Sequence, residues 1–414
     1  MTALDTRILP LDALRGFAVM GILMLNIIGF SMPEAAYINP AVWGGTDFPN
    51  IAAWFTAFVL FDGKMRGLFS LLFGASMLLI IERAEISGRD GRRVHIVRAA
   101  WLFAFGLAHY LLLWWGDILM IYAIVSLIAL LFIGRPPLSL VKWAFGAFLV
   151  HFVILVTFIV SAYAFGHAAA EPGASAQVVQ GFGQMIDSFG RPGTPAITQE
   201  VALYRSDYGA IFAASLKALP DKTTLLIYFT FDTLGFMLLG MAMLKGGFLN
   251  GQWPIDQYSR TARHCFLIGL PPTAAMAIWV IVSGYDPLVA FGVFLSWSFP
   301  FRIPLTVGYA ALFMTWILRA PDNPLILRIA AAGRMAFSNY LGTSLLMTAI
   351  FYGWGGGLFG HVDRAHLYLF VFGAWALMLL WSTPWLVQFH FGPFEWLWRS
   401  LARGEMQKMR RIRN

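Results

Sequence analysis

Cysteine is almost absent from this chain. Cys265 stands alone among 414 residues, so no disulfide can close within the chain and no group of thiolates can hold a metal. Charge is scarce too: 12% of residues are charged, against about 25% in a typical soluble domain. Hydrophobic residues make up 59%, and mean hydropathy is +0.70. Such a chain has too little polar surface to cover itself in water, which points to an integral membrane protein. The motifs H-E-x-x-H, C-x-x-C and G-x-S-x-G are all missing, so hydrolytic and zinc chemistry have no support and no metal is expected. The glycines of "YGWGGGLFG" neither follow a strand nor open a helix, which argues against a dinucleotide site. No A-x-A-like cleavage site follows the first apolar run, so that run is expected to be retained as a span.

What the chain has in abundance is long apolar runs. A spanning helix needs about 20 such residues. Candidate spans cover 12–32, 65–82, 98–115, 117–134, 141–165, 225–244, 264–283, 288–318, 335–352 and 366–388. The expected fold is therefore an all-α polytopic bundle of about ten transmembrane helices. Segment 288–318 is interrupted by "SFPFRIP" and is read as one crossing with a broken helix. Most of the 29 basic residues fall in alternate loops, densest in "ERAEISGRDGRRVHIVR" and the tail "RGEMQKMRRIRN", whereas loop 33–50 has none. The positive-inside rule then puts both termini in the cytoplasm of a bacterium, with the chain in the inner membrane. The formal charge of +8 is accounted for by these loops, and nucleic acid is not an expected partner.

Residues 166–222 form one long outer-face insertion, beginning with "HAAAEPGASAQ". Its later part, "ALYRSDYGAIFAASLKALP", reads as an amphipathic helix that is either a lid or a passive connection. No soluble domain is evident.

Polar side chains inside spans are costly, roughly 2.5–3.5 kcal/mol each on insertion scales, and mark candidate sites. In the first span, "RILPLDALRGFAVMGILMLNIIGF", Arg15 and Asn26 share one helical stripe, and Asp12 can pair with Arg15 three residues on. That pair equally suits an interfacial salt bridge with a snorkelling arginine. Asn26 lies about 16 Å further along the axis. Asp62, Lys64 and Arg66 open the second span in "FDGKMRGLFSLLFGA", at its expected outer boundary. His109 lies two-thirds along the third span, Asp117 opens the fourth, and Asp232 lies within the sixth. Asn26, Asp62, Lys64, His109, Asp117 and Asp232 share the outer half and are expected to line a polar cavity. A carboxylate beside an imidazole raises its basicity, so His109 with Asp117 suits a general base or an acyl-accepting nucleophile, and equally a proton relay. His151 reads as a packing residue. In the inner half, Arg334, Ser338 and Asn339 open the ninth span, where small residues also permit close packing. Arg302 and Trp354 complete the expected substrate contacts.

The stretches "LDALRGFAVMGILMLNI", "FDGKMRGLFSLLFGA", "GDILMIYAI", "GRMAFSNYL" and the closing "FGPFEWLWRS" together resemble the YeiB-type family of uncharacterised bacterial membrane proteins over nearly the whole chain. The C-terminal motif region spans about 225–400. The opening Leu-Arg-Gly followed by an Asn is also similar to transmembrane acyltransferases of the heparan-glucosaminide N-acetyltransferase type. That resemblance implies transfer of an acyl group from cytosolic acyl-CoA across the membrane, and matches Arg15, Asn26 and Asp62 to its motif positions. That enzyme uses a His in its first loop; residues 33–61 contain none, so either His109 substitutes, or transfer is direct without a covalent intermediate, or this chemistry is absent. The expectation is an acyltransferase with His109, Asp117, Asn26 and Asp232 as catalytic residues. Arg15, Asp62, Lys64, Arg66, Arg302, Arg334, Asn339 and Trp354 would bind substrate. Acyl-CoA would be the co-substrate, with no permanent cofactor, and the acceptor a hydroxyl or amine on a glycan, lipid or small molecule. The alternative is a proton-coupled transporter of a lipid or small metabolite. Membrane lipid is the surrounding partner, and a homodimer stays open beside a monomer.

Overall fold

Hydrocarbon offers no partner to a bare peptide group, so each spanning segment must satisfy its own backbone. The computed structural model, which describes residues 8–411, meets this with helices; a single β-bridge joins Phe389 and Arg410. Helix α1 (Leu9–Ser31) leaves the end of the bundle that carries most of the arginines, here the basic end, and reaches the far end. After the short α2 (Ala35–Ile38), α3 (Phe48–Leu60) turns back and α4 (Lys64–Ile86) continues to the basic end. α5 (Gly91–Leu112) is N-capped by Asp90, whose side chain accepts from the Arg93 N–H. It is followed by α6 (Leu119–Ala129), which tightens into a 3-10 turn at Leu130–Phe132. α7 (Pro137–Ala170) rises past the far end into the insertion.

The insertion folds as α8 (Ala176–Ser188), α9 (Pro195–Tyr204) and α10 (Tyr208–Lys217). The single amphipathic helix expected there is two helices, because the Asp207 side chain accepts from the Ala210 N–H and starts a new one. The insertion is docked on the glycine-rich loop after the ninth span: the Gly353 N–H donates to the Tyr204 carbonyl (2.8 Å) and Arg205 Nε to the Phe359 carbonyl (2.7 Å).

α11 (Lys222–Lys245) returns to the basic end and α12 (Ile255–Val282) rises again. α13 (Pro287–Gly292), a π turn at Val293–Trp297 and α14 (Phe299–Arg319) then descend as one interrupted crossing, as expected for 288–318. α15 (Pro324–Arg334) and α16 (Ala336–Phe351) rise, α17 (Arg364–Gln388) descends, and α18 (Pro393–Arg403) lies at the basic end. All ten expected spans are helical. Among the described residues seven helical segments are long and apolar enough to cross a membrane, α3 and α4 together counting as one of 39 residues.

Small residues let the central helices touch. A Cβ on Gly16 would stand 2.0 Å from the Ile329 carbonyl oxygen, so α1 and α15 cross backbone to backbone. This crossing fixes Arg15 and Arg334 side by side at the basic end. The second span holds a correction: Asp62, Lys64 and Arg66 do not lie at the far boundary. The 13-residue α3 precedes them, and at 1.5 Å per residue it sets them about 20 Å inside.

Candidate functional site

Two polar regions follow from this packing. The first is a cavity of about 200 Å³ that opens at the basic end between α1, α4, α5, α6, α15, α16 and α18. Its wall is apolar, with Phe69, Leu72, Phe73, Leu102 and Leu119, and its mouth carries Arg15, Arg98, Arg334 and Arg399. It shares Ile80, Arg98 and Arg399 with a surface basin of about 1090 Å³, which Arg83, Arg89, Arg93 and Arg403 also line, together with Asp90 and Glu405. Arg15 donates to Asp12 Oδ1 (3.0 Å), the pairing expected from their spacing, and to Ser76 Oγ (2.7 Å). The Arg98 guanidinium lies 4.0 Å over the Trp398 ring, whose Nε1 donates to the Arg98 carbonyl.

α18 forms part of this wall because Glu395 pins it. Glu395 accepts from the Phe337 and Ser338 N–H groups (2.7 and 3.0 Å) and from the Ser338 hydroxyl (2.5 Å). These are open donors of the first turn of α16. Burial pushes the Glu395 carboxyl up, while the hydrogen bonds it accepts at Ser338 and Phe337 pull it back.

Tyr122 and Tyr340 close the deep end of the cavity. Tyr340 also lines a void of about 10 Å³ shared with the half-buried Asn26, and its ring centroid lies 5.1 Å from that of His109. The His109 Nδ1 is 2.8 Å from Asp117 Oδ2, and both side chains are fully buried. Asp117 Oδ1 is held by the Met120 N–H (3.0 Å). A carboxylate only accepts, so this contact puts a ring proton on Nδ1; Nε2 has no hydrogen-bond partner among the described residues. Thus Asn26 and His109 each abut Tyr340, one side chain away from the cavity.

The second region lies where the spans are broken. The chain turns at Gly63 (φ +69°), and a Cβ there would stand 2.5 Å from Arg302 Cδ, so the position requires glycine both for conformation and for space. Around the turn Arg302 pairs with Asp62 (2.7 Å), Arg66 pairs with Asp232, and Lys64 Nζ donates to the Phe58 carbonyl (2.7 Å). Lys64 is fully buried and Asp232 is 1% exposed. Tyr122, which reaches Ser70 Oγ (2.9 Å) and the Arg66 carbonyl (3.3 Å), separates this cluster from the cavity.

Arg15 and Arg334, expected in the inner half, line the basic-end cavity. The residues expected to share one outer chamber divide. Asn26, His109 and Asp117 gather behind Tyr340, while Asp62, Lys64, Arg66, Arg302 and Asp232 form the central cluster. Asn339 binds the Ala332 carbonyl, Ser382 and Trp381, tying α16 to α15 and α17. Trp354 packs edge-on against Tyr208 of the insertion, at the far end. Tyr340, Arg98, Glu395 and Arg399 were not singled out from the sequence. Glu395, in the charged amphipathic "FEWLWRS", carried the clearest signal, an acidic residue whose helix is too short to span.

The fold and these regions define a polytopic helical membrane protein with an arginine-mouthed, apolar-walled cavity at one end and a buried ion-pair cluster at its centre. The chain belongs to the YeiB family. It is 35% identical over 405 residues to the protein YeiB of Escherichia coli K12, covering 96% of each chain. It is 29% identical over 407 residues to YxaH of Bacillus subtilis 168, covering 96% of this chain and 95% of that one. A 39.9 kDa protein from the amylase 3′ region of Bacillus acidopullulyticus is 24% identical over 409 residues. Residues 243–405 match the family described as "Protein of unknown function (DUF418)". No solved structure matches the chain.

Proposed function

We propose that this protein is an inner-membrane acyltransferase, with its basic end and both termini in the cytoplasm, that takes an acyl group from acyl-CoA and passes it to an acceptor hydroxyl or amine. The observation that carries this reading is the cavity, apolar along its length and arginine-lined at its mouth. An acyl-CoA is apolar at its acyl end and polyanionic at its nucleotide end. The basin would hold its phosphates by charge-assisted contacts to arginine, and the neck would admit the pantetheine and acyl chain.

Tyr340 stands between the cavity and His109, so its ring must swing aside before the thioester can meet the base. His109 Nε2 would then take the proton of the acceptor while the acceptor oxygen or nitrogen attacks the thioester carbonyl. The carbon–sulfur bond breaks and the leaving thiolate recovers the proton from His109. Asp117 holds the imidazole tautomer, and the Asn26 amide, beside Tyr340, is the nearest group expected from the sequence to donate to the developing oxyanion.

In purified protein, His109→Gln is expected to lower release of free CoA about a hundredfold or more with acyl-CoA affinity unchanged. Arg399→Ala is expected to weaken acyl-CoA binding, read by calorimetry. Wild-type protein that binds no acyl-CoA, or His109→Gln turning over at the wild-type rate, would overturn the proposal.

Proton-coupled transport is the second reading. It is favoured by the central cluster, since buried charges beside interrupted helices recur at transporter binding sites. Flux driven by a proton gradient in proteoliposomes would select it.

A further inference from the structure

A second void lies beside the cavity at the basic end, off the path proposed for the acyl chain. It measures about 170 Å³, and its wall carries Asp12, Arg15, Arg83, Arg334, Glu395 and Arg399. At about 30 Å³ per water in the liquid, it has room for about five waters. It shares Arg15, Arg334 and Arg399 with the cavity, and Arg83 and Arg399 with the basin, so it stands at the junction of the two.

The four guanidiniums come from four helices, α1, α4, α15 and α18. Two of them are fixed by the closest crossing at this end. A Cβ on Gly333 would stand 1.9 Å from the Asp12 carbonyl oxygen and 2.5 Å from the Gly16 nitrogen, so α1 and α15 touch where Arg15 and Arg334 leave them. Arginine stays charged at any working pH, so the wall cannot relieve this repulsion by releasing protons. Asp12 and Glu395 are the only carboxylates lining the void. Asp12 pairs with Arg15, and Glu395 turns Oε1 to the Phe337 and Ser338 N–H groups and Oε2 to the Ser338 hydroxyl. Counted on the wall, four arginines face two carboxylates, and two positive charges remain.

We propose that this recess binds one phosphate monoester group, held between Arg15, Arg83, Arg334 and Arg399. A monoester carries about −1.5 to −2 at pH 7, which matches the excess on the wall. Its three terminal oxygens accept forked guanidinium donors from several directions at once, whereas a carboxylate offers two oxygens in one plane. The site does not depend on acyl transfer.

The test uses the full chain in detergent with radiolabelled inorganic phosphate, read by scintillation proximity at constant ionic strength. Saturable binding is expected that excess chloride or acetate does not displace. Arg334→Gln removes a guanidinium that lines the recess and not the basin, and should lower phosphate affinity about tenfold. Arg15→Lys keeps the charge but loses the fork; it should weaken phosphate severalfold and serves if Arg334→Gln fails to fold. Competition then gives the source of the group. Displacement by phosphatidic acid in the micelle identifies a lipid headgroup, displacement by an adenosine bisphosphate a nucleotide, and displacement by neither a free phosphate ion, all three seated in the recess. Absence of saturable phosphate binding by the wild-type protein overturns the site. So does a folded Arg334→Gln or Arg15→Lys variant that binds as tightly as wild type. Arg93 lines the basin and not the recess, so a loss in Arg93→Gln as large as in Arg334→Gln would put the ion in the basin and equally overturn the site.

Discussion

Glu200 illustrates how a single residue in the insertion can tie stability to pH. It lies on α9, outside the spans, and accepts from the Glu34 N–H (2.8 Å). Burial pushes its carboxyl up from an ordinary 4.5 to about 7. The folded state therefore keeps a proton that the unfolded state releases, and the stability it contributes is fully present below pH 4.5 and lost as pH rises through 7. Hydrogen exchange in α9, corrected for the intrinsic rate, is expected to be slower at pH 5.5 than at pH 8, and Glu200→Gln is expected to flatten that difference. Residue identity alone flagged Arg15, Asp62, Arg66, Asp117, Asp232 and Arg302, because a carboxylate or guanidinium in a span is costly wherever it points. Partners were legible only when close in sequence. Asp12 with Arg15, and His109 with Asp117 across one tight turn, were paired in advance. Arg66 with Asp232 and Arg302 with Asp62 are separated by 166 and 240 positions, and nothing local links them.

At the scale of elements, α18 is the part of the site held by the fewest contacts of its own. Its Glu395 closes the N-terminal turn of α16, and its Trp398 and Arg399 complete the cavity wall. Glu395→Ala removes the acceptor for two backbone donors and a hydroxyl, which should cost about 1–3 kcal/mol. The expected outcome is a lower Tm in detergent together with weaker acyl-CoA binding. A lower Tm with unchanged binding would separate the helix from the site. The ten spans were legible because apolar length is a local property. α3 was not among them: "FPNIAAWFTAFVL" is too short to cross alone, and its continuation into α4 depends on a glycine turn stabilised by Arg302 from another helix.

For the whole molecule, the distribution of arginine sets one testable geometry. The basin residues and the tail share one end of the bundle, while the insertion and the Trp354 loop share the other. Reporter fusions at the two termini should both read as cytoplasmic, and one inserted at Gly193 should read as external. A terminal fusion reading as external would reverse the cavity and remove its access to cytosolic acyl-CoA. The sequence by itself determined that this is a membrane-embedded helical bundle and which side chains are expensive to bury. Both depend on composition within a window of about twenty residues. Only the tertiary structure decided how the expensive residues group. Azimuth about each helix axis is set by which small residues allow close crossings, Gly16 against α15 above all. That packing separates an arginine-mouthed cavity from a central ion cluster, with Tyr122 and Tyr340 between them, because depth along a span is written locally whereas facing is settled only when helices meet.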